Sequence, residues 1–170
     1  MLYVHGFQGQ ARLRNRAAAQ PQGEGAMKYF SKGKIGRIFA LSLEPGDYVL
    51  ESIKEVIEKE KIRDAVVVSA VGTLDQYRIH YVTTTGYPPQ NKFEHWKDKP
   101  LELASINGIV ANGEPHLHIV VSDSEKAYAG HLEEGCRTLY LAEITIIEIK
   151  GLNLKRQTNQ KNIITLTADT

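Results

Sequence analysis

Apolar positions in this chain mostly alternate with polar ones or run together in short stretches, and in one segment they recur at helical spacing. Ile35-Gly36-Arg37-Ile38-Phe39-Ala40-Leu41-Ser42-Leu43 predicts a strand, with β-branched and aromatic residues at its inward positions. Glu44-Pro45-Gly46 predicts a turn, and Asp47 is placed to cap a following helix. Over 48–61, Val49, Ile53, Val56 and Ile57 form one apolar face, with Glu51, Lys54, Glu55, Glu58 and Lys59 opposite. The run Ala65-Val66-Val67-Val68-Ser69-Ala70-Val71 suits a strand covered on both faces, broken or bent at Gly72-Thr73 into a second strand through Val82. Residues 83–99, with Gly86, Pro88 and Pro89, are expected to be a long loop. Strands over 101–111 and 116–122 are joined by Asn112-Gly113-Glu114-Pro115, which is hairpin chemistry. Residues 124–130 are expected to be a short turn or helical piece. Strands over 139–149 and 163–166 complete the series. The predicted class is α+β, with a central, mainly antiparallel or mixed sheet, one long helix and short helical pieces.

Composition narrows the function classes. With 170 residues and a net charge of +1, the chain has length for one core and no bulk attraction for a polyanion. Residues 1–26 carry Arg12, Arg14 and Arg16 against Glu24, and are expected to be a flexible, functionally silent extension. Removing them from the 21 basic and 20 acidic residues leaves eighteen against nineteen over the body. Residues 27–150 then form the folded domain, and 151–170 a C-terminal strand and tail. One cysteine excludes an internal disulfide, and no apolar run approaches a membrane span. A soluble, cytoplasmic protein is expected.

The chemistry concentrates in Pro115-His116-Leu117-His118-Ile119 and Gly130-His131-Leu132-Glu133-Glu134-Gly135-Cys136. Strand alternation points His116 and His118 to one face and Leu117 and Ile119 to the other. With His131 arriving from a nearby turn bracketed by Gly130 and Gly135, three imidazoles are available to a metal. Three protein ligands with a free fourth position are the usual build of an open zinc site. Cys136 is either a fourth, softer ligand or, as free cysteine more often is, a small buried residue. His80 is a weaker ligand candidate. Arg78 and Tyr81 beside it are candidates to line the same pocket. Glu102, Glu133 and Glu134 are weak candidates for a general acid or base, with a solvated turn the plainer reading for the last two.

These residues together resemble the plant-and-prokaryote-conserved (PPC) domain. The matching points are Arg37-Ile38-Phe39-Ala40-Leu41, Gly46-Asp47, Ser69-Ala70-Val71-Gly72-Thr73-Leu74, Leu101-Glu102-Leu103-Ala104-Ser105-Ile106-Asn107-Gly108, Pro115-His116-Leu117-His118, Gly130-His131-Leu132 and Ala142-Glu143-Ile144. The resemblance implies a homotrimer and a metal, commonly zinc, on His116, His118 and His131. It also implies an association with DNA, which in plant members runs through an AT-hook with an Arg-Gly-Arg-Pro core. Here Ala11-Arg12-Leu13-Arg14-Asn15-Arg16 spaces its arginines without that Gly and Pro.

Three readings follow. One is a zinc-binding homotrimeric regulatory or scaffolding module, reaching DNA directly or through a DNA-binding partner. A second is a zinc hydrolase or lyase acting on a small molecule at an open three-histidine site. In the third the metal is structural, and Cys136 or His80 completes its shell. The aromatic segment around Tyr87, Phe93 and Trp96 is expected to serve a subunit interface.

Overall fold

The computed structural model describes residues 27–169. In chain order the elements are β1 (Lys34–Leu43), α1 (Val49–Lys59), β2 (Ala65–Val82), β3 (Asn91–Ala111), β4 (Glu114–Ser122), β5 (Ala127–Leu132), β6 (Arg137–Lys150), β7 (Leu154–Thr158) and β8 (Ile164–Ala168). Strand dominates, and α1 is the one helix among the described residues, so the expected short helical pieces are absent there. Residues 127–130, expected as turn or helix, are paired strand instead.

Six strands form an antiparallel sheet in the order β1-β6-β2-β3-β4-β5. The end of β5 also pairs back onto β2, at Ile79↔Leu132 and His80↔His131, and so closes β2, β3, β4 and β5 into a ring. The expected break at Gly72-Thr73 is only a register shift; β2 runs unbroken for 18 residues, long enough to serve β6 along one stretch and β5 along another. Leu74, Tyr77, Ile79, Ile106, Leu117, Ile119, Leu132, Ile144 and Ile146 are fully buried on the inner face. Val49, Leu50, Ile53 and Ile57 of α1 join that core.

The helix starts differently from its expected cap. Asp47 does not cap it; its carboxylate accepts the Glu44 N–H at 2.8 Å and closes the preceding turn. Tyr48 is the N-cap, without a side-chain cap bond, and is held by a bridge to Arg137. The Val49 N–H, which a helix start leaves without an internal partner, donates to the Cys136 carbonyl at 2.9 Å. Tertiary pairing with β6 thus replaces the local cap.

The expected loop over 83–99 is a second correction. Asn91–Lys97 are strand, paired with Gln76–Val82, and only residues 83–90 connect them. The Thr83 N–H donates to the Gln90 carbonyl at 2.8 Å and closes the connection. Trp96 lies flat on the buried Tyr77, with ring centroids 5.1 Å apart and planes 3° from parallel, and this contact holds a segment whose polarity reads as loop. His95, expected in a polar loop, is therefore on β3 opposite Arg78.

Apart from the six-stranded sheet, β7 and β8 form a separate hairpin. Buried Asp64 ties it to the body, accepting the Leu154 N–H at 2.9 Å and the Asn112 N–H of the β3–β4 turn at 3.2 Å. At the other edge, Arg37 grips Glu148 from its Nε at 3.0 Å and Nη2 at 3.2 Å. Those bonds, with one from the Arg37 backbone N–H, hold the Glu148 carboxyl down to about 2.

Candidate metal centre

Register builds the site. His118 on β4 faces His131 on β5, and His131 faces His80 on β2, so three imidazoles from three strands stand in one row across the sheet. Phe93 of β3, opposite His80, extends it. His116 is two residues before His118 and alternation puts it on the same face. Ring centroids are 4.5 Å apart for His80–His131, 5.1 Å for His116–His131, 5.5 Å for His116–His118 and 5.8 Å for His118–His131. His131 is the shared neighbour of the other three. Gly130 permits the close approach: a Cβ there would lie 2.7 Å from the His80 carbonyl oxygen and 2.9 Å from Ile79 Cδ1.

Glu133 underlies two of the rings. Its N–H donates to the Arg78 carbonyl at 3.2 Å, two residues from His80. Its Oε1 lies 2.6 Å from His80 Nδ1 and 3.2 Å from His131 Nδ1. The first is a hydrogen bond. The second is a close contact off the hydrogen-bond line, which leaves the buried His131 Nδ1 without a hydrogen-bond partner in the protein. His80, His131 and Glu133 present donor atoms all within 4.8 Å of one another.

Electrostatics favours neutral, metal-accepting rings. Burial lowers the His131 pKa below its ordinary value, and the neighbouring His80 adds to this while Glu133 opposes it. Burial likewise lowers His116, followed by the charges of His131, Arg156, His118 and His80. An imidazole must be unprotonated to bind a metal, so rings that give up their proton easily are prepared for one. Four neighbouring imidazoles, two of them against the Glu133 carboxylate and one with an unpartnered buried ring nitrogen, fit a divalent transition metal.

Of the residues read from sequence, His116, His118 and His131 share this face, and His80, ranked below them, lies inside the cluster. Glu133 enters it too. Glu134 does not; it is exposed and pairs with Lys54 of α1 at 2.7 Å. Glu102 lies opposite Ser122, five residues along β3 from the Asn107 that faces His118, or roughly 16 Å at strand rise. Tyr81 falls on the opposite face and donates to Glu94 at 2.8 Å. Arg78 shares the His80 face by alternation, but it is exposed, and its backbone rather than its side chain is engaged.

Cys136 is buried, with its thiol engaged by backbone. Its thiol both accepts from the Arg78 N–H and donates to the Arg78 carbonyl, each at 3.3 Å. Burial pushes it up to about 12. Only the thiolate attacks alkylating reagents, so iodoacetamide at mildly alkaline pH is expected to leave Cys136 unmodified in folded protein and to label it fully in denaturant. Mass spectrometry reads this directly, and rapid labelling of the folded chain would contradict the burial. The linkage has the corresponding sign. Above the ordinary thiol pKa the unfolded chain loses this proton while the folded one keeps it, so stability falls with rising pH until about 12.

Similarity to known proteins agrees with the fold. A solved plant- and prokaryote-conserved protein from Pyrococcus horikoshii superposes with a TM-score of 0.66 at 28% identity, over 85% of this chain and 99% of that one. A structure named as a metal-containing protein from Archaeoglobus fulgidus gives 0.69 at 23%, over 84% and 100%. One from Ralstonia eutropha, named as a candidate DNA-binding protein, gives 0.63 at 21%, over 76% and 90%. The curated relatives matched are bifunctional GlmU proteins of Synechococcus. One is 27% identical over 122 residues, which are 71% of this chain and 18% of the relative's length. The model of the Plants and Prokaryotes Conserved (PCC) domain matches residues 30–150, so this chain belongs to that family.

Proposed function

We propose that this protein is a zinc-binding, homotrimeric module of its family, with the ion held by His116, His118 and His131 and a regulatory or scaffolding role. One observation carries the reading: the antiparallel register gathers side chains from β2, β4 and β5 so that His131 touches every other imidazole of the cluster. The name of the Archaeoglobus relative supports a metal in this fold. Glu133 would serve as the orienting carboxylate, holding His80 and steadying His131 from its Nδ1 side. A zinc with three protein ligands supplies a Lewis-acidic position and a readily ionised bound water.

Exposed Val68, Val71, Tyr140 and Leu141 lie on the paired strands β2 and β6 and give a subunit surface to cover. The body's near-balanced charge speaks for reaching DNA through a partner, although the Ralstonia relative is named for DNA binding.

The test is elemental analysis with light scattering on chelator-stripped, zinc-reloaded protein. About one zinc per chain and a trimeric mass are expected. A His116→Ala/His118→Ala double variant should fold and retain none. Wild-type protein that takes up no zinc would end the reading.

A further inference from the structure

Arg156 of β7 stands at the edge of the histidine face without a carboxylate partner. Its Nη1 donates to the Glu114 carbonyl and its Nη2 to the Ile109 carbonyl, both at 2.8 Å. Ile109 is the residue opposite His116 across the β3–β4 ladder, and Glu114 precedes His116 by two. The guanidinium is therefore fixed beside the His116 end of the cluster. Among the described residues no carboxylate lies within ion-pair distance of it, whereas Arg37, Lys99 and Arg137 are each paired.

The hairpin that carries it is anchored at both ends. Asp64 holds buried Leu154 at one end, and the Tyr87 hydroxyl from the β2–β3 connection donates to the Asn162 carbonyl at the other. The hairpin thus spans from the His116 end of the site to the strand tip beyond His80 and Phe93. It lies outside the 30–150 match, so the family fold does not itself require this charge.

Arg156 is partly removed from water with no carboxylate at ion-pair distance, the Glu114 charge acting on it from farther off, and its two carbonyl bonds use only two of five guanidinium N–H donors. The remaining fork suits the paired oxygens of a carboxylate or phosphate. At the other end, Phe93 is 59% exposed with its ring centroid 5.2 Å from that of His80, an apolar wall beside the imidazoles. We propose that the histidine face is a binding site for a small anionic ligand, a carboxylate or a phosphate, whose oxygens are held by Arg156 beside His116. This rests on the histidine face being a ligand site; a bound zinc would strengthen it, but Arg156 offers its donors without one.

Inorganic phosphate and acetate are titrated separately into chelator-treated and zinc-loaded protein, with zinc content measured on the same samples. The readouts are calorimetry and the NMR signals of the Arg156 Nε–H and the imidazoles. The expected result is a shift of Arg156 and His116 signals by at least one of the two anions, and binding roughly tenfold weaker in Arg156→Gln. Whichever anion acts assigns the ligand's acidic group. No response from either anion at the wild-type Arg156 signal, or equal binding by wild type and Arg156→Gln, would overturn the proposal. The wild-type signal decides even if the variant does not fold. Anion binding that depends on Arg156 in protein that takes up no zinc would remove the metal reading and leave this one standing. Zinc uptake with anion binding indifferent to Arg156 would do the reverse.

Discussion

Replacing His131 by alanine is expected to abolish stoichiometric zinc retention, with a larger loss than any other single histidine. The ring sits between His118 and His80 across two ladders and within 5.1 Å of His116 by centroid. It is the one imidazole of the cluster that neighbours all the others. If protein-held zinc is worth on the order of 10 kcal/mol, shared among three imidazoles, one ligand accounts for about 3 kcal/mol, roughly a hundredfold in Kd. His131 is 28% exposed and on the outer face, so its removal should leave the fold standing. The comparison with His80→Ala decides the ligand set. If His116, His118 and His131 hold the ion, His80→Ala weakens binding only as an outer partner would. If instead His80, His131 and Glu133 hold it, His80→Ala and His131→Ala fall together and His116→Ala is nearly silent. Glu133→Gln is expected to cost about 10- to 100-fold, the usual effect of losing an orienting carboxylate. Competition with a metal-binding dye measures all four. Undiminished retention by His131→Ala would show that the cluster is not the metal site.

What the sequence could disclose here follows from the range of the interactions concerned. The shared face of His116 and His118 is a local property of strand alternation and was readable. The Asn112-Gly113 turn was too: both residues have positive φ, 54° and 81°, as a two-residue hairpin turn demands. His80 and Glu133 joined the site through pairing that links β2 to β5 across some fifty residues of chain, and no local period carries that information. The one available signal for Glu133 was its place just after a histidine at a strand end, which alternation alone would put on the same face. The mistaken loop at 91–97 has a similar cause. Lys92, Glu94 and Lys97 make the segment polar, while the contact that orders it, Trp96 on Tyr77, is tertiary. Asp47 had the right residue type for a cap, but the bridge from Tyr48 to Arg137 and the bond from Val49 to Cys136 set the helix start instead.

Gly108→Ala should be strongly damaging although the residue touches no ligand. Gly108 has φ of +149°, in a region side chains disfavour, and lies opposite Leu117 in the β3–β4 ladder. A Cβ there would sit 2.1 Å from the His116 carbonyl oxygen and 3.0 Å from Leu117 Cα. The clash is with backbone, so no rotamer relieves it, and β4 must move away from β3 or twist. Strain and overpacking together cost on the order of 4 kcal/mol, a fall of about 10 °C in Tm. Because the displaced residues carry His116 and neighbour His118, zinc affinity should fall in the same variant although every donor remains. Gly86→Ala is the matched control: nothing lies within 4 Å of its added Cβ. It should shift stability by less than about 0.5 kcal/mol and leave zinc binding unchanged. A Gly108→Ala protein that melts with the wild type would refute the β3–β4 approach. One that is destabilised yet binds zinc normally would show that the imidazoles of β4 are not the ones that hold the ion.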